Sequence, residues 1–423
     1  MRVSPLLTVI LTLVATAALL GVAWLSLSPA GPLLRSAEFS LQTITPNADG
    51  ESDLTRITYD LDRPAYVSIY FVGQDGTRHD YRDQKPRDSG EHSLLFSGVV
   101  DGFTRPGDVA KGLILRRVLP DGTYRWVIEA APAPGVAGET ISGDLTIADA
   151  DTALPEVRGF SVYPQSFSPN RDGIDDRTTI NAYLVKASDL RVTLVGPDRS
   201  TFPVPEKQGV ILPGEIGLHT FDYEGGVDLG ASPPLDGTYA VLAETADAVG
   251  QRMQVTGTLA IRDGGVPRAD ILNADVAFNA TTLLLGDTLV FTLTVENYGD
   301  APIRTSGPPP GTVYDMDENS NALGWHEESG AWRVGIDCDT CIRDYPWRWA
   351  LGDVKTLTPI PAGDDTFYYL MPGQRATVSG GVRLTELPDR NPLYFWAGLI
   401  HEDVEIAPVN NRVDPHFITI EQP

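Results

Sequence analysis

Two stretches decide the reading of this chain: Thr45-Pro46-Asn47-Ala48-Asp49-Gly50-Glu51-Ser52-Asp53 and Ser168-Pro169-Asn170-Arg171-Asp172-Gly173-Ile174-Asp175-Asp176. Each is followed by a second shared motif, Leu119-Pro120-Asp121-Gly122-Thr123-Tyr124 in the first copy and Pro234-Leu235-Asp236-Gly237-Thr238-Tyr239 in the second. Asn47 and Asn170 lie 123 residues apart, and Tyr124 and Tyr239 lie 115 apart. The same order at nearly the same spacing marks two copies of one domain. Between the markers apolar residues alternate with polar ones, as in TRITYDL (55–61), AYVSIYFV (65–72), TTINAYL (178–184) and LRVTLV (190–195). Further strands are expected at 93–96, 124–130 and 140–147, and at 219–223, 239–245 and 254–261. Period-two runs separated by polar turns at 73–77 and 196–200 predict antiparallel β-sandwiches. Tyr124 and Tyr239 are read as core or corner tyrosines.

The Pro-Asn-x-Asp-Gly opening with a late Asp-Gly-Thr-Tyr resembles the FlgD-type immunoglobulin-like domain, over residues 37–149 and 155–263. The resemblance implies a sandwich fold and a spacer role, since that module recurs in many bacterial surface and secreted proteins. It does not imply hook capping, and nothing else here resembles a hook-capping protein. A third region begins near residue 266. It contains LVFTLTVEN (289–297), then Asn297-Tyr298-Gly299-Asp300, and later Asn410-Asn411 before a final strand at 417–420. These features resemble CARDB-type and related immunoglobulin-like adhesion domains, from which an insertion at about 305–370 departs. The expected fold class is therefore all-β: three tandem Ig-like antiparallel sandwiches after one N-terminal transmembrane helix. The expected domains are 1–35 (anchor), 36–152, 153–265 and 266–423.

The anchor reading rests on residues 6–27, LLTVILTLVATAALLGVAWLSL, 22 residues without a charge. As a helix they would span about 33 Å, enough for a hydrocarbon core of about 30 Å. Trp24 suits the interface, and Pro29 and Pro32 end the helix. A cleaved signal peptide is the competing reading, although its apolar core is typically about 7–15 residues. Arg2 on the short side favours a single-pass cell-membrane protein with its C-terminal ectodomain outside the cytoplasm.

Acidic residues outnumber basic ones 57 to 32, a net charge of −25, so nucleic acid is not an expected partner. The Asn-Asp-Gly loops admit two readings. Asn47, Asp49 and Asp53, with Asn170, Asp172 and Asp176, place oxygens around a glycine turn, as a calcium loop does. However, Arg56 and Thr179 stand where the bidentate Glu of an EF-hand would be. The alternative is an Asx-type turn leading into a strand. Calcium is a possible rather than a required cofactor.

Five of the seven tryptophans lie in the third region, and Trp325, Trp332, Trp347 and Trp349 fall within 25 residues among many carboxylates. They either form a face for a cell-surface glycan or an envelope protein, or build the core of the insertion. Cys338 and Cys341 are the only cysteines. Their surroundings favour a local disulfide over a zinc site or a thioredoxin-like centre. No Gly-x-Ser-x-Gly, phosphate loop or zinc-protease helix is present, and His401-Glu402-Asp403 is read as a strand end running into a turn. The expected function is a non-catalytic, membrane-anchored surface protein, with an Ig-like stalk presenting a distal binding domain. The alternatives are a carbohydrate-binding protein using the tryptophans, and an accessory subunit of an extracytoplasmic hydrolase.

Overall fold

The computed structural model describes residues 12–18, 31–109, 111–406 and 408–422. Most of the expected membrane segment 6–27 lies outside these residues. Residues 12–18 are helical, and among the described residues no helix is long and apolar enough to cross a membrane. Among the described residues from 31 onward the regular structure is β-strand with three short 3-10 turns.

In the first repeat, Thr55–Leu61 buries every second side chain, so one face can join a core while the other meets water. It pairs with Leu34–Phe39 and Gly90–Phe96 in a three-stranded sheet. The facing sheet has the order Thr43–Ile44, Glu139–Ile147, Gly122–Ala131, Ala65–Val72, Arg78–Arg87. The chain thus enters on one sheet and then crosses, so that Thr43–Ile44 runs parallel to the last strand. Side chains from both inner faces form the core, where Phe39 stacks on Trp126 at 4.7 Å and Phe71 on Phe96 at 4.4 Å.

The second repeat has the same plan. Val157–Tyr163, Thr178–Leu184 and Gly217–Tyr223 form one sheet, and Ser166–Phe167 runs parallel to Arg252–Ile261 in the other. The third region repeats the parallel pairing once more, between Thr282–Leu284 and Val413–Glu421. Its long pair Thr288–Asn297 and Arg375–Arg383 faces a wide sheet that includes Leu393–His401 and Trp332–Cys338. All three regions are therefore Ig-like sandwiches.

The chain forms two compact units whose limits cut across the repeats. The first comprises the chain up to Val157 with Val185–Asp189 and Glu244–Gln254, and the second comprises the rest. The regrouping has a local cause inside the first unit. The hairpin of Val99–Asp101 and Leu113–Val118 pairs through Arg252–Gln254 with the start of the strand Arg252–Ile261.

The Asp-Gly-Thr-Tyr motif closes a corner in both repeats. The buried Tyr124 hydroxyl donates to the Pro120 carbonyl at 2.9 Å, and Tyr239 donates to the Leu235 carbonyl at 2.6 Å. Each bond reaches four residues back and fixes the turn that aims the next strand. Tyr124→Phe and Tyr239→Phe should each cost about 1 kcal/mol, read as a lower urea midpoint with an unchanged slope.

Candidate functional site

The two Asn-Asp-Gly loops share one internal geometry. In the first, Asp53 accepts backbone N–H bonds from Asn47 (3.1 Å), Ala48 (2.8 Å) and Gly50 (2.7 Å). Asn47 Oδ1 accepts from the Asp49 amide, and Asp49 Oδ1 from the Glu51 amide. In the second, Asp176 accepts from Asn170 (3.3 Å), Asp172 (3.2 Å) and Gly173 (2.6 Å). Asn170 and Asp172 repeat the turn bonds, to the amides of Asp172 and Ile174. The oxygens read as calcium ligands are thus aimed at the loop's own amides. Among the described residues no group of three or more His, Cys, Asp or Glu side chains is placed to hold a metal. Both loops have the architecture of Asx turns.

The surroundings of the two loops differ. The first is largely exposed. The second is half-buried against the third sandwich within the same compact unit, with Asn170 and Asp172 buried and Gly173 and Asp175 exposed. Arg304 Nε donates to the Asp172 carbonyl at 2.6 Å, and its Nη2 reaches the Ser329 carbonyl. Tyr369 donates to Asp172 Oδ2 at 2.8 Å, and His401 Nε2 donates to the Arg171 carbonyl at 2.8 Å. The fit is close: a Cβ on Gly330, where φ is +80°, would stand 2.2 Å from the Asp172 carbonyl carbon. The ring of Trp332 stacks on His401 at 4.6 Å.

Behind this contact lies a charged cluster. Glu402 accepts two bonds from Arg348 Nη1 (2.9 and 2.8 Å), and Arg333 Nη1 stands 3.1 Å from it. Other guanidinium hydrogens go to carbonyls, from Arg333 to Ser306 and His326 and from Arg348 to Tyr345 and Asp344. These are anchoring contacts between packed segments, with every partner named already held by protein.

Burial sets the protonation of this junction. It pushes the His401 imidazole down to about 4, against the opposing bond to the Arg171 carbonyl. It raises Asp172 despite the Tyr369 bond, and burial with the Asp172 charge pushes Asp176 up to about 6.

The tryptophans do not form a shared surface. Trp332, Trp347 and Trp349 are buried in the third core, where Trp349 lies 4.7 Å from Phe291 and donates Nε1 to the Thr312 carbonyl. Gly380 makes room for that indole, since a Cβ there would come within 2.3 Å of it. Only Trp325 of the four is on the surface, at 37% exposure. Stacking a sugar requires an open ring face, so the expectation of a four-tryptophan ligand face is corrected to a core role for three of them. Cys338 and Cys341 form a disulfide. The loop they close is tied at Asp339 to the Tyr394 backbone and to Arg390.

Sequence reading passed over Arg304, Tyr369, Gly330 and the burial of His401. One signal was available, the arginine between Ile303 and Thr305 in a short run flanked by Pro302 and Ala301.

No family model matches the chain, and no curated protein matches it. Among solved structures, a β-glucosidase from Listeria innocua in complex with glucose is similar at 10% identity and a TM-score of 0.18, covering 37% of this chain. This chain spans 16% of the length of that glucosidase. A tetra-tandem repeat from the extending region of a large adhesion protein is similar at 10% identity and TM-score 0.18, over 86% of this chain and 81% of that one. A run of titin domains is similar at 13% identity and TM-score 0.24, over 91% and 99%. The sandwich assignment rests on the strand order and register above, not on these likenesses.

Two outcomes are expected. Trp349→Ala should cost about 3–5 kcal/mol, as for a large buried aromatic, whereas Trp325→Ala should stay within about 1 kcal/mol, both measured by denaturant unfolding. His401 is neutral when folded and titrates near its ordinary value when unfolded. Its stabilising contribution is therefore complete above pH 6.5 and lost as pH falls toward about 4. Asp176 works in the opposite sense, with its contribution present at low pH and lost as pH rises through about 6. Removing only the histidine term, His401→Gln should reduce the stability lost between pH 6.5 and pH 4 by about 3 kcal/mol relative to the parent chain.

Proposed function

We propose that the chain is a non-catalytic, membrane-anchored extracytoplasmic surface protein in which Ig-like repeats serve as a spacer for the third sandwich. We further propose that the first two repeats are FlgD-type modules and the third is a CARDB-like module. The motif order and the two tyrosine corners support the FlgD-type reading.

The observation that carries the spacer reading is the treatment of the connectors. A semi-rigid spacer needs restrained joints, and both connectors are fastened by hydrogen bonds rather than left as free chain. In the first unit, Gln251 Nε2 donates to the carbonyls of Asp151 (3.0 Å) and Ala153 (2.9 Å). Lys186 Nζ reaches the Ala153 carbonyl at 2.8 Å and the buried Asp247 carboxylate at 2.6 Å, and it pairs with Asp151 at 2.8 Å. Thr245 Oγ1 donates to the Pro155 carbonyl at 2.6 Å. In the second unit, the amides of Asp263 and Gly264 donate to Asp236, and the Gly265 amide to the Pro169 carbonyl at 3.0 Å. The membrane location is supported by the apolar run 6–27 alone.

Brief proteinase K treatment should leave residues 148–155 uncut in the parent chain. Lys186→Ala combined with Gln251→Ala should open that segment to cleavage while the sandwich strands stay intact, and equal cleavage of both proteins would count against a fastened joint. For the location, a C-terminally tagged full chain should sediment with membranes and lose its tag when protease is added to intact cells. A tag that stays soluble and protected would overturn the extracytoplasmic reading.

A further inference from the structure

Lys186 lies just beyond the strand Thr178–Leu184, with Nζ 2.6 Å from Asp247 Oδ2 and 2.8 Å from Asp151 Oδ2. All three residues belong to the first compact unit. The Asp247 side chain is wholly buried. Its Oδ1 accepts from the backbone amides of Gly250 at 2.9 Å and Gln251 at 2.8 Å, and its Oδ2 also accepts from Gln251 Nε2 at 2.9 Å. Oδ2 is bonded to Cγ, so Nζ stands within about 4 Å of that carbon, near the roughly 3–3.5 Å of a reacting pair.

These contacts supply each part that amide formation needs. Lys186 is the nucleophile and Asp247 the acyl group. The Gly250 and Gln251 amides already point at the oxygen on which negative charge would build when Cγ is attacked, at the distances that stabilise an oxyanion. Asp151 is a second carboxylate touching the attacking nitrogen, able to carry its surplus proton. The Ala153 carbonyl, 2.8 Å from Nζ, can accept from the amide N–H that remains.

We propose that Lys186 and Asp247 condense into an internal amide crosslink, with Asp151 as the proton carrier. One Nζ proton passes to Oδ2, turning the ion pair into amine and acid. The Nζ lone pair then forms a bond to Cγ, and the carbonyl electron pair moves onto Oδ1, facing the two amides. Asp151 takes the second Nζ proton and gives it to the Oδ2 hydroxyl. The Cγ–Oδ2 bond breaks, water leaves, the Oδ1 carbonyl re-forms, and Asp151 is a carboxylate again. Nothing is oxidised or reduced, and no other reactant is needed. The product closes residues 186–247 into a covalent ring. Tension along the chain would then pass from Lys186 to Asp247 and bypass the residues between them. That consequence for load rests on the spacer reading, whereas the crosslink itself does not.

Mass spectrometry of the full chain, folded, then denatured, reduced and digested with trypsin, tests this directly. An acylated Lys186 resists trypsin, so the parent chain should yield one branched peptide joining residues 178–191 to residues 208–252, lighter than their sum by one water. Lys186→Arg keeps a cation beside Asp247 but no amine, and should give only the linear peptides. Asp247→Ala should do the same, with cleavage restored after Lys186. Asp151→Asn keeps the shape of the site and removes the proton carrier, so most of its digest should be linear. Linear peptides of full mass from the folded parent chain would overturn the crosslink. A branched peptide as abundant in Asp151→Asn as in the parent chain would overturn the proton route through Asp151.

Discussion

A carboxylate that gathers the backbone N–H groups of a tight loop is the contact on which the rest of the unit-two junction depends. Loop amides cannot pair in a sheet, and burying them without acceptors would cost about 1–3 kcal/mol each. Asp176 removes that cost by accepting from three of them. Once its amides are satisfied from within, the loop can enter a dry contact and offer its outward carbonyls as acceptors. Arg304 and His401 then supply donors to the carbonyls of Asp172 and Arg171. The self-contained turn is what makes docking against another sandwich possible.

The charged cluster behind the junction follows a related logic. Two guanidinium groups and one carboxylate lie together with almost no exposure, an arrangement whose desolvation can exceed its mutual attraction. Burial is the leading influence on Arg333 and acts to lower its pKa, with the Glu402 charge opposing. Carbonyls at positions 306, 326, 344 and 345 offset part of that cost by accepting other guanidinium hydrogens, while Arg333 Nη1 has only the ion pair with Glu402 and no hydrogen-bond partner. Those carbonyls come from loops of the insertion, so the same bonds that satisfy the arginines also fix the loops. In this sense the insertion is a scaffold for its own buried charge, while Trp332, Trp347 and Trp349 alternate with Arg333 and Arg348 along their strands and so point to the other face, into the apolar core.

Much of the fold was legible because alternation and turn residues act locally. TRITYDL and TTINAYL are strands at the residues expected, and Gly73–Thr77 turns as read, with the Gly73 amide bonded to the Thr77 carbonyl. The strand Arg78–Arg87 was missed because RHDYRDQKPR has no apolar alternation. It is an edge strand with little to bury, where charge is favoured as a guard against pairing with other chains. The hairpin at 99–118 was missed for another reason: its outer partner is Arg252–Gln254, more than 130 residues later. The tryptophans were legible as aromatic mass but not as inside or outside. That distinction depends on which sheet covers them.

The two Asn-Asp-Gly loops make the same point about chemistry. Asp53 and Asp176 hold nearly the same three amide donors, so the motif alone predicts the same acidity for both. At Asp53 desolvation works upward, yet the amides of Gly50, Ala48 and Asn47 together hold the carboxyl below its ordinary range. At Asp176 deeper burial and the neighbouring Asp172 charge overcome the equivalent donors and push the group up to about 6. The added burial comes with Arg304, Tyr369 and His401, which arrive on strands 130 to 230 residues further along and cover the Arg171–Asp172 side of the second loop. A motif can thus fix a turn completely and still leave its protonation open. Protonation at this motif follows from what the turn is docked against, and in this chain that is a domain from outside the repeat.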